Sequence, residues 1–321
     1  MAAGICIFEV VVGVMVLIGA RPKLANWSLM LMILFFTFLT FYSAFYNKVT
    51  DCGCFGDAIK LTPWGSFIKD IILLFFISIL FLGEKYIKPL LNSKMENMFL
   101  AIISFFSFAF IVHTYRHLPV KDFRPYAIGN NITNGMKSCD ELELPCTEEA
   151  YYYVVKNKVT GEVSEMLSTD YQDKWQNFDF IEATDKIIVL QEGYEPPIKD
   201  FSIFKDGIDY TYSILNEDNV FLLICYNIDK SSSFKQEAIN TFYKDCQTAG
   251  ISFYALCASS DENILAFAEQ NNIEYLFYFT DETTLKTMIR SNPGLMYLQK
   301  GTIMGKWHHN DFPSLSDIEV Q

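Results

Sequence analysis

Four stretches of this chain, residues 3–20, 26–46, 67–83 and 97–113, are apolar over lengths close to the roughly 20 residues that a helix needs to cross a bilayer. In hydrocarbon every backbone N–H and C=O must be satisfied within the segment, so runs of this kind are read as helices. The first is somewhat short and is followed by Arg21 and Lys23. The second ends among Tyr42 and Tyr46, and Trp64 stands just before the third, aromatic residues suited to a membrane interface. His113 is the first titratable residue of the fourth and sits at its far end. A signal peptide would account for the first stretch only, and no small-residue cleavage pattern follows it.

The overall hydrophobic content of 51% hides a division. Residues 1–117 hold nine Lys and Arg against six Asp and Glu, a net of +3, whereas the remainder holds 16 against 32, a net of −16, which together give the chain's −13. An acidic second half with no Lys/Arg run excludes nucleic acid as a partner, because phosphate binding needs a basic face. Lipid is the partner of the first half.

Counting crossings puts the 47–66 loop and everything after His113 on one face of the membrane. The opposite loops carry Arg21, Lys23, Lys85, Lys88 and Lys94, and the first face carries Lys48, Lys60, Arg116, Lys121 and Arg124, so the count of positive charges is a tie. The opposite loops are shorter and denser in Lys, which favours the cytoplasmic side for them and an extracytoplasmic location for the C-terminal half. A chain whose first residue enters from the outer face is expected to lack an earlier helix. Glu9 then falls within the bilayer near the outer face, where a carboxyl is costly and is read either as a functional proton carrier or as a protonated, hydrogen-bonded side chain packed near Lys69 or Tyr42.

The 47–66 loop contains Asp51-Cys52-Gly53-Cys54-Phe55-Gly56-Asp57. Spanning a bilayer requires no thiols, whereas two cysteines flanking a glycine can close on each other, exchange with a partner thiol or hold a metal. Gly53 and Gly56 permit the tight backbone such a ring needs. A Cys-x-Cys disulfide closes a small ring, and strain of that kind raises the reduction potential and favours exchange; the competing reading is a static bond that pins the loop. Asp51 and Asp57 oppose thiolate formation and Lys60 favours it, so their net effect on the thiols is open.

The other cysteines divide by context. Cys6, Cys225 and Cys257 lie in hydrophobic runs, where a free cysteine is a small buried apolar residue, and Cys246 has no obvious partner. Cys139 and Cys146 bracket a polar loop and could form a short disulfide in an oxidising compartment. His113 and His117 stand one helical turn apart on the thiol face, so a metal held by Cys52, Cys54, His113 and His117 is an alternative.

Beyond the last apolar stretch, residues 118–196 read as a mixed extracytoplasmic linker with turns at Arg124-Pro125, Gly129-Asn130-Asn131 and Thr160-Gly161 and a small strand at Tyr151–Lys156. Residues 197–321 alternate regularly. The pattern predicts strands at Val220–Tyr226, Ser252–Cys257, Tyr275–Phe279, Gly294–Leu298 and Thr302–Trp307, with helices at Ser232–Thr248, Asp261–Gln270 and Glu282–Arg290. His308 and His309, after Trp307, read as exposed edge residues.

That order, with Asn292-Pro293-Gly294 entering the penultimate strand, resembles the thioredoxin-like fold over roughly residues 197–315. The resemblance puts Pro293 at the family's cis-proline position and Ser231 and Phe234 where the family carries its two thiols. The domain is therefore expected to bind or dock and not to exchange disulfides itself. Residues 1–117 resemble the DoxX/MauE family of redox-associated membrane proteins, on the Cys-Gly-Cys-Phe-Gly run at Cys52–Gly56 and the acidic Glu9 in an early span. That family usually has a further helix before the one holding the glutamate.

The expected fold is thus an α-helical membrane bundle joined to a degenerate thioredoxin-like domain, in a bacterial cytoplasmic membrane with the domain outside. The function it implies is a thiol–disulfide relay with a redox or client protein of the envelope, through Cys52 and Cys54. Whether electrons come from a quinone or from another thiol protein is open. A non-catalytic scaffold that docks an exported partner is the alternative, and a metal-binding membrane protein is a second.

Overall fold

The structure, a computed structural model, describes residues 2–46, 56, 58–59, 61–231 and 235–319. Four helices come first: α1 (Ala2–Ile18), α2 (Pro22–Tyr46), α3 (Pro63–Leu82) and α4 (Ser93–Arg116). Their ends follow from caps as well as from hydropathy. Thr62 accepts a hydrogen bond from the Gly65 N–H and places Pro63 at the first helical position, and Asn92 accepts from the Met95 N–H, so α3 and α4 begin before their apolar runs do. With 25, 20 and 24 residues, α2, α3 and α4 are long and apolar enough to cross a membrane, while α1 is a shorter apolar helix of 17.

The bundle buries polar side chains among small and aliphatic ones and turns its large apolar residues outward. Its buried positions include Asn26, Thr40, Ser66, Asp70 and Glu96, while Phe38, Phe75, Phe105 and Phe106 are each more than 60% exposed. A water-soluble bundle has the reverse distribution, and the difference is what a lipid environment selects. Helices α2 and α3 run antiparallel and are joined near both ends: the Asn26 amide donates to the Leu80 carbonyl at 3.2 Å, and the Thr40 hydroxyl donates to Asp70 Oδ2 at 3.0 Å. At the α1–α2 turn, Arg21 Nη2 donates to Asn97 Oδ1 at 2.6 Å and Arg21 Nε lies 3.7 Å from Glu96 Oε1. The start of α4 therefore sits at the α1–α2 turn, and its end sits with the end of α2 and the start of α3.

Beyond the bundle come the short α5 (Ile132–Met136), then β1 (Glu148–Asn157), β2 (Val163–Leu167), α6 (Ser168–Lys174) and β3 (Phe178–Gln191). The three strands form an antiparallel sheet in the order β2-β1-β3. Only part of β1 was expected from sequence. The 14-residue β3 breaks its register with β1 at several bulges, which blurs the alternation that would have marked it.

The remaining elements are β4 (Phe204–Lys205), β5 (Ile208–Asp209), α7 (Thr211–Leu215), β6 (Val220–Cys225), α8 (Gln236–Ala249), β7 (Ser252–Cys257), α9 (Asp261–Asn271), β8 (Phe277–Phe279), α10 (Glu282–Met288), β9 (Gly294–Gln299) and β10 (Thr302–His308). They build a seven-stranded sheet in the order β10-β9-β6-β7-β8-β4-β5, with β6, β7 and β8 parallel and β9 antiparallel to β6. Every residue of β6 is buried, as befits a central strand covered on both faces. Phe221 and Leu223 pack with Ile239, Phe242 and Cys246 of α8, whereas Leu222 and Ile224 face Leu285 and Met288 of α10.

Tyr126 and Ile132, within the stretch expected to be linker, belong to this second core. They are held there by backbone bonds from Gly129 N to Ile303 O and from Ile132 N to Gly301 O, both 2.8 Å. Asp122 adds an ion pair with Lys306 of β10 at 2.7 Å, and Lys306 also donates to Tyr126 O at 2.9 Å.

Candidate functional site

Cys52 and Cys54 lie outside the described residues, as do Asp51, Gly53, Asp57 and Lys60. The framework that carries their loop is described on both sides. Tyr42 and Tyr46 close α2 with rings 4.6 Å apart, Phe41 of α2 meets Phe67 of α3 at 5.5 Å, and Trp64 packs edge-on to Phe67. This aromatic collar fixes where the loop leaves and re-enters the bundle.

Two turns inside α3, below that collar, Asp70 is 2% exposed and bonded to Thr40, with Lys69 Nζ 3.2 Å from its other oxygen. Sequence reasoning passed over Asp70 in favour of Glu9. Glu9 is exposed on the outer surface of α1, and its two expected neighbours are engaged elsewhere: Lys69 with Asp70, Tyr42 with Tyr46. The signal for Asp70 was present, since it is the only carboxyl within the third apolar stretch. A buried carboxyl within a membrane helix is costly and, by default, a candidate functional group.

In the soluble domain, the turn after β6 is where a thioredoxin-like fold places its dithiol. Asn227 caps a 3-10 turn by accepting from Lys230 N, and Ser231 follows. Ser231 Oγ is 3.4 Å from Cys225 Sγ; Phe234 lies outside the described residues. The Asn292–Pro293 peptide is cis and enters β9 opposite this turn. Asn292 clamps the turn with its amide, donating to Asn227 O at 2.6 Å and accepting from Asn227 N at 3.5 Å.

Beneath lie Cys225 and Cys257, cross-strand partners on β6 and β7, each no more than 2% exposed. The bond to Cys257, reinforced by burial, pushes the Cys225 thiol well above its ordinary range. Burial pushes Cys246, on the inner face of α8, up to about 12. Cys225 and Cys246 are therefore not nucleophiles near neutral pH, whereas the bond from Cys225, helped by the Ser259 N–H, draws the Cys257 thiol down to about 7 inside the sheet.

His308 and His309 are not exposed edge residues. His308 is 4% exposed, accepts from Asn310 N through Nδ1 at 3.1 Å, and stacks on His309 at 4.0 Å. Ser291 Oγ donates its one proton to Pro293 O and so accepts twice from His309, from the backbone N–H at 2.9 Å and from Nδ1 at 3.0 Å. The strand pattern ended at Trp307 and gave no sign that the chain turns inward over the cis-proline loop.

His113 and His117 stack at 4.7 Å, as one-turn spacing permits, and His117 Nδ1 is 2.7 Å from Asp311 Oδ1. His117 is thus engaged by the soluble domain, with Asn310 Nδ2 donating to Arg116 O at 2.8 Å beside it. Cys139 and Cys146 are joined by a disulfide. Among the described residues the only cluster of three metal-type ligands contains these two sulfurs, which the bond occupies.

Strand order, the cis-proline turn and the exposed apolar faces of the helices define a helical membrane bundle joined to an α/β domain of thioredoxin-like fold. Residues 1–83 match the family described as methylamine utilisation protein MauE. No curated protein sequence matches the chain. Among solved structures, a candidate protein disulfide isomerase from Bacteroides thetaiotaomicron overlaps with a TM-score of 0.29 at 17% identity, covering 35% of this chain and 77% of that one. A cysteine-to-serine mutant of peroxiredoxin Q from Xanthomonas campestris gives 0.26 at 11%, covering 34% and 78%. The mitochondrial 2-Cys peroxiredoxin of Plasmodium falciparum gives 0.23 at 13%, covering 50% and 79%.

Proposed function

We propose that this protein relays electrons between thiols and disulfides outside the cytosol through Cys52 and Cys54, with the thioredoxin-like domain serving as the docking module. The observation that carries the reading is the shared end of the bundle. Tyr46 and Thr62, which flank the thiol loop, lie at the same end as Arg116, from which the soluble domain hangs. A partner held by that domain would meet the loop without crossing the membrane.

The exchange balances as two linked displacements. A Cys52 or Cys54 thiolate attacks a partner disulfide to form a mixed disulfide, and the second thiolate then releases the partner as a dithiol while the pair closes; two electrons pass to the partner, and the reverse sequence returns them. Asp70 is suited to accept or return a proton as the sulfurs change state. The Cys139–Cys146 disulfide, at the same end, supports an oxidising compartment for this face.

The test is a full-length Cys54→Ser variant expressed in a bacterial host and trapped with acid before alkylation. A reductant-sensitive adduct through Cys52 is the expected result. If Cys52 and Cys54 in the unmodified protein stay oxidised under reductant strong enough to open Cys139–Cys146, the bond is structural and the relay is wrong. A reporter active only in the cytosol, fused after Gln321, should be silent.

A further inference from the structure

Between the last turn of α4 and the loops around the cis-proline lies a cleft of about 640 Å³. Arg116, Lys230 and Arg290 line it, together with the polar side chains of Asn292, His309 and Asn310. Lys230 and Arg290 come from a half-chain with twice as many acidic as basic residues, and Arg116 joins them from the end of α4. Neither Arg116 nor Lys230 has an ion-pair partner among the described residues, although both are exposed. Asp311, which follows the lining residue Asn310, is bonded to His117. Burial and the neighbouring charges hold His308 down to about 4, and burial also lowers His309, so near neutrality neither imidazole is charged; His308, which accepts through Nδ1, keeps its N–H on Nε2, while the one ring N–H of His309 is spent on Ser291 Oγ.

The cleft is also at a defined height. The apolar run of α4 ends at His113, and the cleft wall begins at Tyr115, within one helical turn of it. The headgroup layer of a bilayer is about 5–7 Å deep on each side of the hydrocarbon, so this wall stands in it. An arginine there can hold two phosphate oxygens in a planar fork while a lysine supplies a point charge to the third.

We propose that this cleft binds a phosphate group presented by the headgroup of an anionic phospholipid, gripped by Arg116 and Lys230 with Arg290 behind them. Such a lipid would seat the soluble domain on the membrane surface and set its height over the thiol loop. The proposal stands independently of the redox reading, since it concerns side chains that take no part in sulfur exchange.

The experiment uses the full chain in an uncharged maltoside detergent and follows thermal unfolding and native mass spectra during titration. Dihexanoyl-phosphatidylglycerol should bind saturably and raise the melting temperature, while dihexanoyl-phosphatidylcholine should not. The Arg116→Gln/Lys230→Gln variant should lose affinity at least about tenfold, and Lys158→Gln, far from the cleft, should lose none. Raising NaCl from about 50 to about 500 mM should weaken binding to the unmodified protein by about tenfold or more, which tests the idea without any variant. If inorganic phosphate competes as well as the short-chain lipid, the phosphate site stands and its ligand is soluble. Equal binding of phosphatidylcholine, salt-independent binding, or no saturation overturns the proposal.

Discussion

His117 Nδ1 lies 2.7 Å from Asp311 Oδ1, so the last turn of a membrane-spanning helix is bonded to the closing turn of the soluble domain nearly 200 residues later. Both side chains are more than a third exposed, which limits the pair to about 0.5–1 kcal/mol. Asp311→Ala should therefore raise amide exchange at His117 and Asn310 by about three- to fivefold without unfolding either half. Unchanged exchange there would mean that the Asn310 bond to Arg116 O holds the junction alone.

The buried polar contacts and exposed apolar faces of the bundle make a prediction opposite to that for a soluble protein. Thr40→Val removes the donor to Asp70 and should cost about 1 kcal/mol in reversible unfolding of the full chain in mixed micelles. Phe75→Ala, on the outer surface of α3, should cost less than that, whereas in a water-soluble core the same truncation costs about 3–5 kcal/mol. A larger loss from Phe75 than from Thr40 would show that the exposed face is covered by protein.

His308 gives stability a pH dependence of known sign. Its folded pKa is about 4 against an ordinary 6.5, so the unfolded chain binds the extra proton first and stability is lost as pH falls below about 6.5. The loss should reach about 1 kcal/mol by about pH 5.5 and about 3 kcal/mol near pH 4. His309 shifts in the same direction, while Asp209, Asp281 and Asp317, lowered by their Thr and Ser neighbours, act at lower pH still. Thermal melts of the full chain between about pH 7.5 and about pH 5.5 should flatten in His308→Gln.

Gly193 packs against the disulfide loop so closely that a Cβ there would overlap the carbonyls of Pro145 and Cys146. The Gly193 N–H also donates to Thr147 Oγ1 at 3.2 Å. Gly193→Ala should destabilise the three-stranded sheet by about 1–3 kcal/mol. Opening Cys139–Cys146, which closes a short loop, should cost about 2.5 kcal/mol by loop entropy. Limited proteolysis within residues 139–194, compared with and without reductant, reads both effects.

Most strands of the soluble sheet were legible because each is a short, nearly continuous apolar run between turn residues. Ser252–Cys257 was placed at both ends, and β6 differed by one residue. The β4–β5 hairpin and the bulged β3 escaped because two-residue strands and broken register leave little period to detect. Residues 118–137 read as linker because polar turn residues surround Tyr126 and Ile132, the two that anchor it in the core.

The order of residues alone determined that the first third is apolar helices of membrane length and that the last third is an α/β domain. Those conclusions follow from local hydrophobic length and period, which any stretch of chain expresses without reference to its neighbours. Only the tertiary structure decided which carboxyl is buried, Asp70 and not Glu9, and that His308 turns inward beside Arg116 and Lys230. Burial and charge proximity depend on which faces of distant elements meet, and that is a property of packing with no local signature.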